Sequence, residues 1–177
     1  MTKRAKLLWL DLEMTGLDDN HDRILEVAAI ATDWNFKELG TYDVVVHQSD
    51  ATLKTMNEWC VAQHGASGLT ERVRASKISD KAAEAGLLKF IDEHFSAAKP
   101  VLLAGNSIHM DRRFIVSYWP ELDARLHYRM LDVSAWKLVF EGKYRSKFSK
   151  PEEHRALSDI RGSILELQHY IGKLKNH

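Results

Sequence analysis

The run LLWLDLEM, residues 7–14, constrains the fold more than any other stretch of this chain. Residues 6–12 read as a buried strand that opens a domain. Side chains alternate across a strand, so Asp11 and Glu13 share one face. Two carboxylates held side by side repel each other, and removing them from water makes this worse. Three arrangements would relieve the conflict: a positive charge between them, a proton on one of them, or a strand that ends in water. Whatever the fold, one sheet face must turn from apolar to acidic at residue 11.

The following segments say what surrounds that strand. Residues 24–32, ILEVAAIAT, and 41–47, TYDVVVH, read as further strands. Their short connections predict an antiparallel meander. Residues 52–64 are expected to form a helix ending at Gly65, and Ser79 begins another, carried on by AAEAGLLKFIDEHF. Beyond Pro100, VLLAGN has the look of a parallel strand. A helix over 108–118, closed by Pro120, leads to a strand at 128–133 and a helix from Ser134. Residues 142–153 are basic and aperiodic, which predicts a loop. In the last helix, Leu157, Ile160, Ile164, Leu167, Ile171 and Leu174 recur at steps of three and four, giving one apolar stripe. Three early strands followed by alternating strands and helices make an α/β domain with a mixed central sheet. The 177 residues suit a single domain, 1–177, with no repeat, linker or low-complexity segment.

Composition bounds the function. Lys plus Arg and Asp plus Glu are both 25, so the formal net charge is zero. Proteins that coat long nucleic acid neutralise many phosphates, and a neutral chain is not expected to bind long duplexes. A short anionic ligand held by a few local charges remains open. The one cysteine, Cys60, excludes an internal disulfide and a Cys-rich zinc site. No apolar run has the length of a membrane span. A soluble, cytoplasmic protein is the expectation.

Two more acids join Asp11 and Glu13 as candidates. Asp111 lies in GNSIHMDRRF, early in a helix, and Asp159 in HRALSDI, in the first turns of the last helix. If the strand end meets both helices, four carboxylates converge. Hard divalent cations take oxygen ligands, and Mg²⁺ is usually held by a few carboxylates together with substrate phosphates. Two such ions about 4 Å apart serve phosphoryl transfer. His154, five residues before Asp159, has the chemistry of a base that takes a proton from water. Taken singly, Asp111, Asp159 and His154 read more readily as surface or helix-end residues than as functional ones.

Taken together, DLEMTGL, GNSIHMDRRF and HRALSDI resemble the DEDDh family of 3′-to-5′ exonucleases. WLDLEMTGLD, HQSD, MNEWCVAQHGASGL, AGNSIHMDRRF, LHYRMLDVS and HRALSDIRGSILEL, in that order, narrow the resemblance to its branch that acts on very short RNA. The match runs from about residue 7 to 172. It implies an RNase H-like fold, with a mixed five-stranded central sheet flanked by helices, and a homodimer. It implies hydrolysis of short oligoribonucleotides, dinucleotides above all, to 5′-mononucleotides. Asp11, Glu13, Asp111 and Asp159 would hold two divalent cations, Mg²⁺ or Mn²⁺, with His154 as general base. By the same resemblance Leu17 would wedge at the bases, and Trp59 and His64 would line the pocket. Tyr128 and Arg129 would reach in from the partner subunit, and Ser107, Arg129 and Ser134 would grip the 5′ phosphate. The stretch 139–153 departs from the family pattern, as do Ala135 and Trp136. A trimming exonuclease for longer chains and a non-catalytic nucleotide-binding module are the competing expectations.

Overall fold

The structure is a computed structural model that describes residues 5–149 and 156–174. Three strands come first: β1 (Leu7–Met14), β2 (Ile24–Thr32) and β3 (Glu38–Val45). Four helices follow, α1 (Asp50–Leu53), α2 (Glu58–Ala66), α3 (Leu69–Ala75) and α4 (Asp80–His94). Then come β4 (Val101–Gly105), α5 (His109–Tyr118), α6 (Pro120–Arg125), β5 (Leu126–Asp132), α7 (Val133–Tyr144) and α8 (Ala156–Leu174). The five strands form one sheet in the order β3-β2-β1-β4-β5. β1 to β3 pair antiparallel, while β4 runs parallel to β1 and β5 parallel to β4. This is the mixed sheet the sequence predicts.

The alternation in β1 assigns its two faces to different cores. Leu8, Leu10 and Leu12 pack with Leu87, Ile91, Phe114 and Trp119, beneath α4 to α6. Leu7 and Trp9 pack on the other face with Phe140, Ile160, Ile164 and Tyr170, from α7 and α8. Asp11 and Glu13 continue the second row, so the acids emerge where the α8 face of the sheet runs out of apolar cover. Trp9 adds a fixed point there, its Nε1 donating to Thr32 Oγ1 at 3.0 Å.

Several boundaries differ from the sequence expectations, for local reasons. The helix expected over 52–64 is two helices. Ser49 caps the first and Asn57 the second, each side chain accepting a backbone N–H from the first turn. Gly65 lies inside α2, and α3 follows from Gly68, whose φ of 72° is the left-handed conformation open to glycine. Pro120 does end α5, but it also begins α6, because proline fits the first helical position. The N–H groups of Glu121 and Leu122 donate to Glu84 Oε1 of α4 at 2.9 and 3.0 Å. That long-range cap has no local signature. β3 starts and ends earlier than expected, β5 starts at Leu126, and α7 runs to Tyr144 into the stretch read as loop.

Candidate active site

The site forms where β1 outgrows its neighbour. β1 pairs with β2 along its whole length, but with β4 only from Leu7 to Trp9. Past Trp9 the β4-side edge of β1 has lost its strand partner, and its backbone groups need others. Asp111 supplies one. It is buried in the first turn of α5, and its Oδ1 accepts the Leu12 N–H at 2.8 Å. Burial pushes its carboxyl up to about 7. The Glu13 and Asp132 charges add to this, and the hydrogen bonds from Leu12 and its own backbone oppose it.

Across the sheet, α8 lies over β1 and β2 and brings Asp159 to the acids of β1. Carboxylate oxygens of Asp11, Glu13 and Asp159 all lie within 4.8 Å of one another, and the three residues are half-buried. Three of the four expected acids thus meet directly, while Asp111 stands beside them on the backbone between Asp11 and Glu13. Burial raises the Glu13 carboxyl to about 7, helped by the Glu26 and Asp159 charges and opposed by Arg72. The conflict within β1 is therefore answered partly by water and partly by a proton at neutral pH. A set of hard oxygen donors, crowded and reluctant to ionise together, fits a divalent cation well.

Glu26 was not anticipated as part of this site. It stands directly across from Glu13 in the β1–β2 register, is buried, and pairs with Arg72 at 2.6 Å. The one available signal was an acid inside the otherwise apolar run ILEVAAIAT. Arg72 comes from α3, a helix the sequence reading missed.

The remaining candidates fall in two groups. His64 is buried on α2, and its Nε2–H donates to the Met14 carbonyl at 2.9 Å, which turns Nδ1 towards Glu13 Oε2, 4.0 Å away. Leu17 and Trp59 are 66% and 69% exposed, the loop before Asp22 and α2 carrying them. The Leu17 loop is nonetheless anchored: Asp22 accepts from Thr15 and from the Asp18 N–H, and Asp19 pairs with Arg113 and accepts from Ser117 at 2.8 Å. A side chain at Gly16 would collide with Asp22. Ser107 and Ser134 meet at the end of β4 and the start of α7, their hydroxyl oxygens 3.1 Å apart.

Tyr128 and Arg129 lie elsewhere. They sit on the edge strand β5, Tyr128 75% exposed, with the Arg129 guanidinium over its ring. Register places Leu131 level with Ala104 and Ala104 level with Trp9. Tyr128 is thus five residues short of the level of Asp11 and two strands away. At about 3.3 Å per residue and 4.8 Å per strand, that is roughly 19 Å. His154 lies outside the described residues.

Comparison with known proteins agrees with this geometry. The RNase_T family model, described as exonuclease, matches residues 8–167. The oligoribonuclease of Francisella tularensis subsp. novicida is 47% identical over 176 residues, covering 98% of each chain. That of Pectobacterium atrosepticum is 45% identical over 174 residues, covering 96% of each. Among solved structures, the zinc-bound E. coli ExoI–ssDNA complex matches with a TM-score of 0.72 at 16% identity, over 98% of this chain and 43% of that one. The moderately thermophilic exonuclease I from Methylocaldum szegediense gives 0.65 at 19% identity, over 90% and 38%. At that identity the likeness speaks for the fold, and this chain spans less than half the length of either.

Proposed function

This chain belongs to the RNase_T family of exonucleases, in its oligoribonuclease branch, and from that premise we propose a 3′-to-5′ exoribonuclease that hydrolyses short oligoribonucleotides, dinucleotides above all, to 5′-mononucleotides. The observation that carries this is the meeting of Asp11, Glu13 and Asp159, from opposite ends of the chain, within 4.8 Å. A non-catalytic module would have no reason to keep so costly an arrangement. Residues 1–177 would act as one exonuclease domain, in the cytoplasm, on free RNA fragments.

Asp11, Glu13, Asp111 and Asp159 would hold two divalent cations, Mg²⁺ or Mn²⁺. When bound, such ions activate a water for attack on the phosphodiester and stabilise the leaving oxygen. His154, two residues ahead of α8, would take the proton from that water. His64 would steady the site from the side, since its bond to Met14 ties α2 to the end of β1. Leu17 and Trp59 offer exposed apolar surface of the kind a base covers, and stacking is worth roughly 1–3 kcal/mol per base. With no net charge, the chain gains little from counterion release, which suits a substrate with one or two phosphates.

Ser107, Arg129 and Ser134 would bind the 5′ phosphate, where a guanidinium fork matches phosphate oxygens. The separation of roughly 19 Å between Tyr128 and the Asp11 level supports a homodimer in which Tyr128 and Arg129 serve the partner's pocket. A phosphate capped in this way measures length, because a longer chain needs the space the cap fills. The test compares turnover of a dinucleotide and a twenty-mer with Mg²⁺ or Mn²⁺ and with chelator. Fast, metal-dependent cleavage of the dinucleotide is expected. Preference for the twenty-mer would make it a trimming exonuclease, and no metal-dependent cleavage of either would end the enzyme reading.

A further inference from the structure

A buried polar network joins α8 to the turn between β4 and α5, and the reaction outlined above does not use it. Glu166 is 4% exposed on α8. Its Oε1 accepts the Tyr170 hydroxyl at 2.8 Å and its Oε2 accepts Asn106 Nδ2 at 3.2 Å. The same amide nitrogen donates to Ser163 Oγ at 2.8 Å, and the Ser163 hydroxyl donates onward to the Asp159 carbonyl at 2.9 Å. Towards Asn106, then, α8 offers only acceptors: a carboxylate oxygen and a hydroxyl whose proton is already used. The amide nitrogen must face α8, so Asn106 Oδ1 must face away from it.

There it meets Ser134, whose hydroxyl donates to it at 3.3 Å. With that proton committed, Ser134 Oγ is left as an acceptor. It takes the Ser107 N–H at 2.9 Å, and in the 3.1 Å contact between the two hydroxyls Ser107 is the donor. Asp132 pins the same backbone from below, its Oδ1 accepting the N–H groups of Ser107 and Ser134 at 3.0 and 2.9 Å. Ser107 itself is exposed and held at φ 48°.

We infer that Glu166 and Asn106 are positioning residues that fix the proton order of the Ser134–Ser107 pair, leaving Ser107 alone of the two with a hydroxyl proton free to turn to a substrate phosphate. The inference rests on the proposed role of these serines at the 5′ phosphate. Turning from a neutral hydroxyl to a phosphate oxygen exchanges an ordinary hydrogen bond for a charge-assisted one. Glu166 thereby acts on the substrate through three intermediaries, Asn106, Ser134 and Ser107, without touching it.

The experiment measures KM for a 5′-phosphorylated dinucleotide and for its unphosphorylated form, and takes their ratio for the wild type, Ser107→Ala, Ser134→Ala, Glu166→Gln and Tyr170→Phe. Glutamine can donate as well as accept, so Glu166→Gln lets the Asn106 amide turn over and scrambles the proton order. Tyr170→Phe removes a buried hydrogen bond but leaves the amide facing the same carboxylate. Ser107→Ala is expected to lower the preference for the phosphorylated form about tenfold, and Glu166→Gln about three- to tenfold. Tyr170→Phe lowers the melting temperature and leaves the ratio alone. If both serine variants shift the ratio and Glu166→Gln does not, the positioning inference fails and the phosphate site stands. If neither serine variant shifts it, the phosphate site itself is misassigned. If Tyr170→Phe shifts it as much as Glu166→Gln, the network only stiffens the fold and the inference fails.

Discussion

Replacing Glu13 with glutamine should make the metal-free protein more stable while removing its activity. Glu13 is crowded by burial and by Glu26 and Asp159, which raise its carboxyl from 4.5 to about 7. Its side chain is 28% exposed, so water screens only part of this. The folded state holds a proton that the unfolded chain releases as pH climbs from about 4.5 to 7. Wild-type stability therefore falls through that window, and the full penalty is present above pH 7. A shift of that size corresponds to about 3 kcal/mol. A glutamine at this position never ionises and escapes the penalty. In a chain of this size about 3 kcal/mol is roughly 6–12 °C in melting temperature. The assay is thermal melting in chelator from pH 4.5 to 8, for both proteins. The curves should nearly coincide at the acid end and separate at the alkaline end, with Glu13→Gln higher. Adding Mg²⁺ at pH 8 should raise the wild type and raise the variant less, since one oxygen ligand has lost its charge. A variant that melts no higher than wild type at pH 8, or a gap that is the same at both pH values, would show that the acids of β1 are not in electrostatic conflict.

Three further outcomes follow from the proposed function and the site. If the chain forms the proposed homodimer with Tyr128 and Arg129 serving the partner's pocket, mixing Asp11→Ala subunits with Tyr128→Ala/Arg129→Ala subunits should restore about a quarter of wild-type activity, because half the dimers would be mixed and each would have one complete site; no recovery after subunit exchange would count against that arrangement. Arg72→Ala leaves Glu26 buried without its cation beside Glu13, and should cost about 2 kcal/mol in urea unfolding, discounted because Arg72 is half exposed. Adding Glu26→Gln to Arg72→Ala should recover most of it, and an equally unstable double variant would show that Arg72 works through packing instead. His154→Ala should lower kcat far more than it changes KM; an unaltered kcat at saturating dinucleotide would remove His154 from proton transfer.

What the sequence disclosed depended on whether the relevant interaction is local. The alternation in β1 put Asp11 and Glu13 on one face, and they are there. Of the six residues of the α8 stripe, Ile160, Ile164 and Leu167 are buried, Leu157 and Ile171 are half-buried, and Leu174 at the helix end is exposed. The stripe missed that Ser163 and Glu166 are buried too, on a polar seam beside the apolar one. A periodic count of apolar residues cannot register a carboxylate whose partners, Asn106 and Tyr170, come from another element and the next turn. Glu26 was hidden the same way, since its significance lies in facing Glu13 across a hairpin and Arg72 across the fold. The split at Asn57 was a local capping signal that an unbroken helical pattern overrode. The Glu84 cap on α6 was not local, and nothing in residues 118–125 announces it.

The placing of the acids also has a cause in chain geometry. An end strand stub with open N–H groups is usually a liability. Here β4 stops at Gly105, where a side chain would crowd the Leu10 carbonyl and Ile108. The chain can turn sharply into α5 because nothing projects there. That turn carries Asp111 to the N–H of Leu12, so the group that satisfies the orphaned backbone is itself one of the four acids. Enlarging Gly105 would force β4 away from β1 and withdraw Asp111 from Leu12. Gly105→Val should thus cost metal affinity, read as a smaller Mg²⁺-induced rise in melting temperature, even though the residue lies on none of the ligands. A full Mg²⁺ response in a folded Gly105→Val protein would separate Asp111 from the cation site and leave Asp11, Glu13 and Asp159 to hold it alone.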